Sequence, residues 1–351
     1  HYPLRRQRQM CIRDSFITGK ISVLFRKKSE KTVVKRDSIS DLPKKDQSII
    51  RAWCIYDWAN SAFATSAAAA IFPVYFVLAF QESFGDEMIL LGVTFSGSSL
   101  WALGVALSAL VVAITSPILG AIADRGSAKK KLLITFAFLG VLMTASLWFV
   151  EQGEWQLAVF FYVIATIGFM AGNIFYDSLL PAVASREKVD YVSALGYSLG
   201  YLGGGSLFAV NVLMYLHPDW FGIPDSSTAI RISFLTVAIW WAVFTLPIII
   251  FLPEPKSSNS VPLSKAVFSG ISQLRETYDN IREMKIIGTF LLAFWLYEDG
   301  VATIVRMAGK IASSLGFAAG DIITAILMVQ FIGFPAAVSY THLTLPTKRI
   351  V

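Results

Sequence analysis

Residues 52–80 read AWCIYDWANSAFATSAAAAIFPVYFVLAF, an apolar run whose one charged side chain is Asp57. It exceeds the roughly 20 mainly apolar residues that an α-helix needs to cross a bilayer. Seven further stretches repeat the signal, at 98–123, 132–150, 155–183, 192–216, 229–252, 286–307 and 318–337. Their surplus length permits tilt or interfacial extension. The predicted fold class is all-α, a polytopic membrane bundle of helices.

The composition agrees. The chain is 55% hydrophobic and 15% charged, where soluble domains carry roughly 25% charge. Its mean hydropathy is +0.60, more apolar side chain than one soluble core absorbs, so the surplus faces the lipid bilayer. Phe (26) and Trp (9) are plentiful, as lipid-facing and interface-anchored surfaces require. Two cysteines supply neither a disulfide framework nor a metal cluster, and no cofactor is expected.

Both termini carry a signature of their own. One set of codons for residues 338–347, read on the complementary strand, encodes Arg5 to Asp14. The pair resembles translated sequencing adaptor, so residues 1–15 and 338–351 are set aside as adaptor-like ends. Arg5, Arg6, Arg8 and Arg13 against Asp14 account for three of the formal +6 charges, and Lys348 and Arg349 for two more, which leaves +1. The basic balance therefore carries no argument for nucleic acid.

Lys and Arg set the orientation. They crowd the segment 16–51, the loop after the second helix (Arg125, Lys129, Lys130, Lys131), the loop after the fourth (Arg186, Lys188) and the loop after the sixth. Loops 81–97, 151–154 and 217–228 hold none, and Lys310 is the one exception. The N-terminus is predicted cytoplasmic. Residues 52–252 form an N-terminal six-helix bundle, 253–285 a cytoplasmic central loop, and 286–337 the start of a C-terminal bundle. The later part of that loop reads either as an amphipathic surface helix or as a solvated linker. Trp53-Cys54-Ile55-Tyr56-Asp57 is echoed by Trp295-Leu296-Tyr297-Glu298, as in parallel six-helix repeats. On that reading eight of twelve helices are present.

An ionisable group at the bilayer centre costs roughly 2.5–3.5 kcal/mol on insertion scales, so it marks a functional cavity. Asp57 and Asp177 lie toward the cytoplasmic ends of helices one and four, as gate groups, substrate groups or interfacial caps. Glu298 and Asp299 lie deeper in helix seven, two turns before Arg306. A carboxyl group in low dielectric favours its neutral form, which suits proton coupling; a structural ion pair with Arg306 is the other reading. Asn60, Asn173 and Asn211 serve either a polar solute or interhelical hydrogen bonds. Gly196, Gly200, Gly203, Gly204 and Gly205 read as a close-packing face. In Gly120 to Lys131, a small residue permits close packing, Asp124 is placed to accept from a neighbouring helix N-terminus, and Arg125 and Lys129 follow. The segment is a gate latch or a charged loop. No Ser-His-Asp, zinc or P-loop arrangement can be assembled, which argues against an enzyme.

Gly120 to Lys131 resembles the G-x-x-x-D-R-x-G-R-[RK] motif of major facilitator transporters. Gly120, Asp124, Arg125 and Lys129 match, while Ser127 and Ala128 replace Gly and Arg. Tyr56-Asp57-Trp58-Ala59-Asn60-Ser61-Ala62-Phe63-Ala64-Thr65 with Phe72-Pro73-Val74-Tyr75-Phe76 is similar to the first helix of the vacuole-effluxer group. Asn173 to Pro181 and Asp299 to Ala308 are similar to its fourth and seventh helices. Gly200-Tyr201-Leu202-Gly203-Gly204-Gly205 resembles part of a helix-five antiporter motif, with Tyr201 in place of Pro. The resemblance covers roughly residues 50–337. It implies a twelve-helix fold, alternating access and export of a small solute, amino acids among the candidates. The membrane would be the bacterial cytoplasmic membrane, or the vacuolar membrane in a fungus. Helices one, four and seven are expected to line a central cavity, with Tyr56, Asp57, Asn60, Asn173, Tyr176, Asp177, Glu298, Asp299 and Arg306 as substrate, proton or gate groups, in a monomer. A receptor or scaffold on the same fold is the competing reading.

Overall fold

A transmembrane helix is dictated by its backbone: with no water in the hydrocarbon, each N–H and C=O must bond within its own segment. The computed structural model describes residues 39, 42–90, 92–151, 153–255 and 285–344. Among the described residues, eight helical segments are long and apolar enough to cross a membrane. They are span one Lys44–Phe84, span two Gly97–Asp124, span three Lys129–Phe149, span four Trp155–Val183, span five Val189–Leu216, span six Ser226–Phe251, span seven Ile286–Val305 and span eight Gly320–Ser339. The adaptor-like start and the surface-helix segment of the central loop lie outside the described residues.

Several boundaries differ from the expected ones. Span one begins at Lys44, not at 52, because a polar turn with Asp46 at its start is itself a good helix opening. The last helix runs from Ala319 to Thr344, past 337; no proline interrupts 336–344, and Pro346 comes next. A small antiparallel hairpin pairs Met88–Leu90 with Val93–Phe95 in the loop after span one. It turns at Gly92, whose φ of +79° is costly for residues bearing a Cβ. The dominant expectation, an all-α membrane bundle, describes the chain.

Span one is the buried axis, with Tyr56, Ala59, Ala62, Phe63, Ala67, Phe72, Phe76 and Phe80 fully enclosed. It is not a uniform α-helix. Phe63–Ile71 is wound as a π-helix between α-helices Lys44–Ala62 and Phe72–Phe84. Pro73 supplies the reason: it lacks an N–H and its ring presses on the carbonyl four residues back, at Ala69. Widening the preceding turns moves that carbonyl aside, and the Phe72 N–H bonds to Ala67.

Neighbouring spans meet where side chains are small. A Cβ built on Gly168 of span four would lie 2.6 Å from the Gly140 nitrogen and 2.7 Å from the Phe136 carbonyl of span three. One on Gly204 of span five would lie 2.8 Å from the Ser61 carbonyl of span one. The span-five glycines are thus a close-packing face, directed mainly at span one, with Gly205 against Gln330 of span eight. Aromatic stacking fills the remaining gaps: Phe72 lies on Tyr162 at 3.8 Å, and Trp58 on Trp240 at 5.6 Å. The opposite faces are lipid-ready; Leu107, Leu110 and Ile114 of span two are all exposed.

Replacing Gly168 with Ala should cost about 1–3 kcal/mol, because neither backbone has room to retreat. Gly120→Ala, where a Cβ meets nothing within 4 Å, should leave the thermal midpoint in detergent unchanged. Equal midpoints for both variants would remove close glycine contact as the organising feature.

Asp225 caps span six, its carboxylate accepting from the Thr228 N–H at 2.8 Å and from the Thr228 hydroxyl at 2.9 Å. The backbone hydrogen bond is the main reason its carboxyl is held below the usual carboxylate range. The ionised form is favoured by folding, so this contribution is complete above the ordinary carboxylate range and fades as pH falls through the lower folded value. Asp225→Ala should therefore melt earlier than the parent at neutral pH, with the gap closing below pH ~4. A gap independent of pH would mean the cap does not act through its charge.

Candidate functional site

Along span one, Trp53, Tyr56, Asp57, Asn60 and Ser61 follow at three- and four-residue steps, which stacks them along one helix face. Span four presents Asn173, Tyr176 and Asp177 by the same rule. Where the two spans meet, the Trp53 indole stacks on Tyr176 at 4.2 Å and 10°, and its Nε1 donates to the Tyr176 carbonyl at 3.1 Å. Tyr56 tilts against the Tyr176 ring at 5.0 Å. One turn on, Asn60 Nδ2 donates to Asn173 Oδ1 at 2.6 Å. The Tyr176 hydroxyl is buried and has no hydrogen-bond partner among the described residues.

Asp57 is half-buried beside this seam and turned toward span five. A Cβ on Gly200 would stand 3.2 Å from its Cγ, and one on Gly196 would stand 3.5 Å from its Oδ2. The two glycines leave the carboxylate its space. Asp177 is exposed, and no ion pair reaches either carboxylate among the described residues. The arrangement offers a carboxylate, phenols and an amide pair against apolar walls, a set able to hold a cationic or hydroxylated solute group.

At the end carrying the basic loops, Asp124 pairs with Lys129 at 2.7 Å, a half-exposed contact worth roughly 0.2–1 kcal/mol. Ser127 closes span two in the left-handed region, with φ 47° and ψ 53°. It is the one residue other than glycine with positive φ among those described. The Gly of the transporter motif falls at this position, where a residue without Cβ is unstrained. Next to it, Glu254 Oε1 accepts from the Lys130 N–H at 2.9 Å and Oε2 from the Lys131 N–H at 3.1 Å. The Lys130 ammonium in turn donates to the carbonyls of Ile249 at 2.7 Å and Leu252 at 2.6 Å. An acid sits at the N-terminus of span three and a cation at the C-terminus of span six, both favoured by the helix dipoles.

Residues 45–349 match the family described as "Vacuole effluxer Atg22 like". The chain belongs to this family. It is 34% identical over 295 residues to the "uncharacterized MFS-type transporter YxiO" of Bacillus subtilis (strain 168), covering 83% of this chain and 66% of that protein. Autophagy-related protein 22 of Coccidioides immitis (strain RS) is 25% identical over 315 residues, 72% of this chain and 52% of its own length. Autophagy-related protein 22 of Saccharomyces cerevisiae (strain ATCC 204508 / S288c) is 24% identical over 323 residues, 74% and 60% respectively. The chain thus spans between about half and two thirds of these relatives. Family membership and the eight apolar spans make it a multi-pass membrane protein.

Against the expectations from sequence, the structure joins Tyr56, Asn60, Asn173 and Tyr176, with Asp57 beside them, but leaves the span-seven group apart. Glu298 and Asp299 are exposed on a span with no buried residue in its apolar window. The Arg306 and Arg125 side chains lie outside the described ones. Asn211 accepts from Thr236 of span six at 3.0 Å, an interhelical bond. Among the described residues, nothing packs closely on Gly120. Among the described residues Asp124 pairs with the Lys129 side chain at the start of span three, and Glu254 takes the Lys130 and Lys131 amides. Glu254 was missed, although Pro253-Glu254-Pro255 directly after span six was the available signal, an acid fixed between two prolines. Glu254→Ala, which strips the amides of Lys130 and Lys131 of their acceptor, should lower stability by about 1 kcal/mol, and Glu254→Gln should recover part of it. A midpoint unmoved by Glu254→Ala would show that water replaces the carboxylate without loss.

Proposed function

We propose that the protein is a secondary active transporter that exports a small polar solute, amino acids among the candidates, by alternating access with protons as the coupling ion. The observation that carries this reading is the polar seam between spans one and four with an unpaired carboxylate at its edge. Ionisable groups within a span are costly and are retained for a task. Asp57 and Asp177 have no cation partner among the described residues. A solute ammonium or a proton can therefore neutralise them in turn, and occupancy by one excludes the other. Mutually exclusive occupancy of one site is the physical basis of exchange. Trp53, Tyr56 and Tyr176 back the seam with buried, mutually packed aromatic rings. Kinship with a relative named an MFS-type transporter, and with the effluxer family, supports transport and direction. The N-terminus is placed in the cytoplasm, and the host membrane is taken as a bacterial cytoplasmic one. Asp124, Arg125, Lys129 and Gly120 form the cytoplasmic gate segment. Glu298, Asp299 and Arg306 hold no role in this reading.

The test is counterflow in proteoliposomes with the product of the full-length gene. Exchange of a radiolabelled amino-acid mixture should respond to an imposed pH gradient. Asp57→Asn and Asp177→Asn should each slow it by about tenfold or more, ~1.4 kcal/mol, and flatten that response, while Asp225→Asn changes neither. Solute binding with no flux would replace the transporter by a receptor, and flux indifferent to both carboxylates would remove the site.

A further inference from the structure

A second site lies at the other end of the bundle. Spans one, two, five and six, with the segment joining spans seven and eight and the start of span eight, line a half-open cavity of about 490 Å³, within the usual range for small-molecule pockets. The π-wound segment of span one brings Ala69, Ala70 and Ile71 to its wall. It is separate from the polar seam: Asn211, which lines it, lies eleven residues beyond Gly200 on span five, roughly 16 Å along the helix. Among the described residues, no Asp, Glu, Lys, Arg or His lines it.

Ser98, Trp101, Asn211, Tyr215 and Ser233 interrupt the apolar wall, and two of them, Trp101 and Asn211, are incomplete. Asn211 is 1% exposed and its Oδ1 is engaged by the Thr236 hydroxyl, yet among the described residues its Nδ2 has no hydrogen-bond partner. Trp101 is 6% exposed, and its Nε1 has none either. An indole N–H can only donate. Buried donors left unpaired are costly and are ordinarily satisfied. Both side chains line the cavity, so an acceptor entering it is the nearest source of a partner for each. A charged ligand would lose its hydration there without meeting a countercharge among the described residues.

We propose that this cavity binds an uncharged small molecule with an apolar body and an acceptor oxygen that receives hydrogen bonds from Trp101 Nε1 and the Asn211 amide. The site stands independently of the transport reading. Its ligand chemistry is shared by a free carbonyl compound and by the ester carbonyl of a lipid chain.

Benzophenone is a direct probe, having two apolar rings on one ketone oxygen and attaching to nearby C–H bonds under ultraviolet light. With the protein in lipid nanodiscs, labelled peptides should concentrate at Val74, Val77, Ile230 and Ile326 rather than at the lipid-facing Leu107 and Ile114. Trp101→Phe and Asn211→Leu should each lower cavity labelling by about fivefold and leave the lipid-face labelling as it was. On the unaltered protein, acetophenone should displace benzophenone more effectively than ethylbenzene, which has the same ring and no oxygen. Labelling spread evenly over cavity and lipid face would overturn the proposal, as would equal displacement by the two competitors. Nanodiscs of ether-linked lipid, which lack ester carbonyls, identify the source. Stronger labelling in them marks the lipid ester as the native occupant, and unchanged labelling marks a free solute.

Discussion

Everything in this chain follows from the absence of water around its backbone. In hydrocarbon each peptide group must be satisfied within its own segment, so eight helices are fixed before any of them touches another. Association then cannot rely on hiding apolar surface, because lipid is as apolar as the side chains. What remains is contact at short range, and it is obtained where side chains are absent. Gly140 against Gly168, and Gly200, Gly203 and Gly204 against span one, set how near the axes come. The seam exists because those approaches are close: Gly196 and Gly200 leave room beside Asp57 that an alanine would occupy.

The same constraint explains why span one carries so much. Many of its side chains are fully enclosed, so its irregularities sit within the interior. Toward the basic end it is α-helical and polar, with Trp53, Tyr56, Asp57 and Asn60 facing spans four and five. Past Phe63 it widens, because Pro73 forbids the ordinary register, and from there its wall is alanine and isoleucine. One helix thus divides into a half able to hold charge and a half lining an uncharged cavity. The division is set by where one proline falls.

Helix ends obey a different rule. The N-terminus of span three leaves amides without partners, and they are met by Glu254, 124 residues from Lys130. Lys130 returns the interaction by capping the carbonyls of span six. Two spans far apart in sequence, three and six, are tied at one end by reciprocal hydrogen bonds, a carboxylate accepting from span-three amides and an ammonium donating to span-six carbonyls.

Much of this was legible in the order of residues. Apolar length fixed the number of spans, since a run such as 155–183 has no stable alternative in lipid. The motif from Tyr56 to Thr65 pointed to the family, and acids and amides inside spans one and four marked where polar chemistry would gather. The glycine series in span five announced a packing face. Sequence could not say which partner each group meets. That Asn60 bonds Asn173, that Asp57 faces glycines of span five, and that Glu254 takes the Lys130 and Lys131 amides depend on distances between helices remote in the chain. The apolar cavity with its two unpaired donors was invisible for the same reason. A span's length and polarity are set by its own residues against lipid, while the company each side chain keeps is set by how closely the backbones can approach.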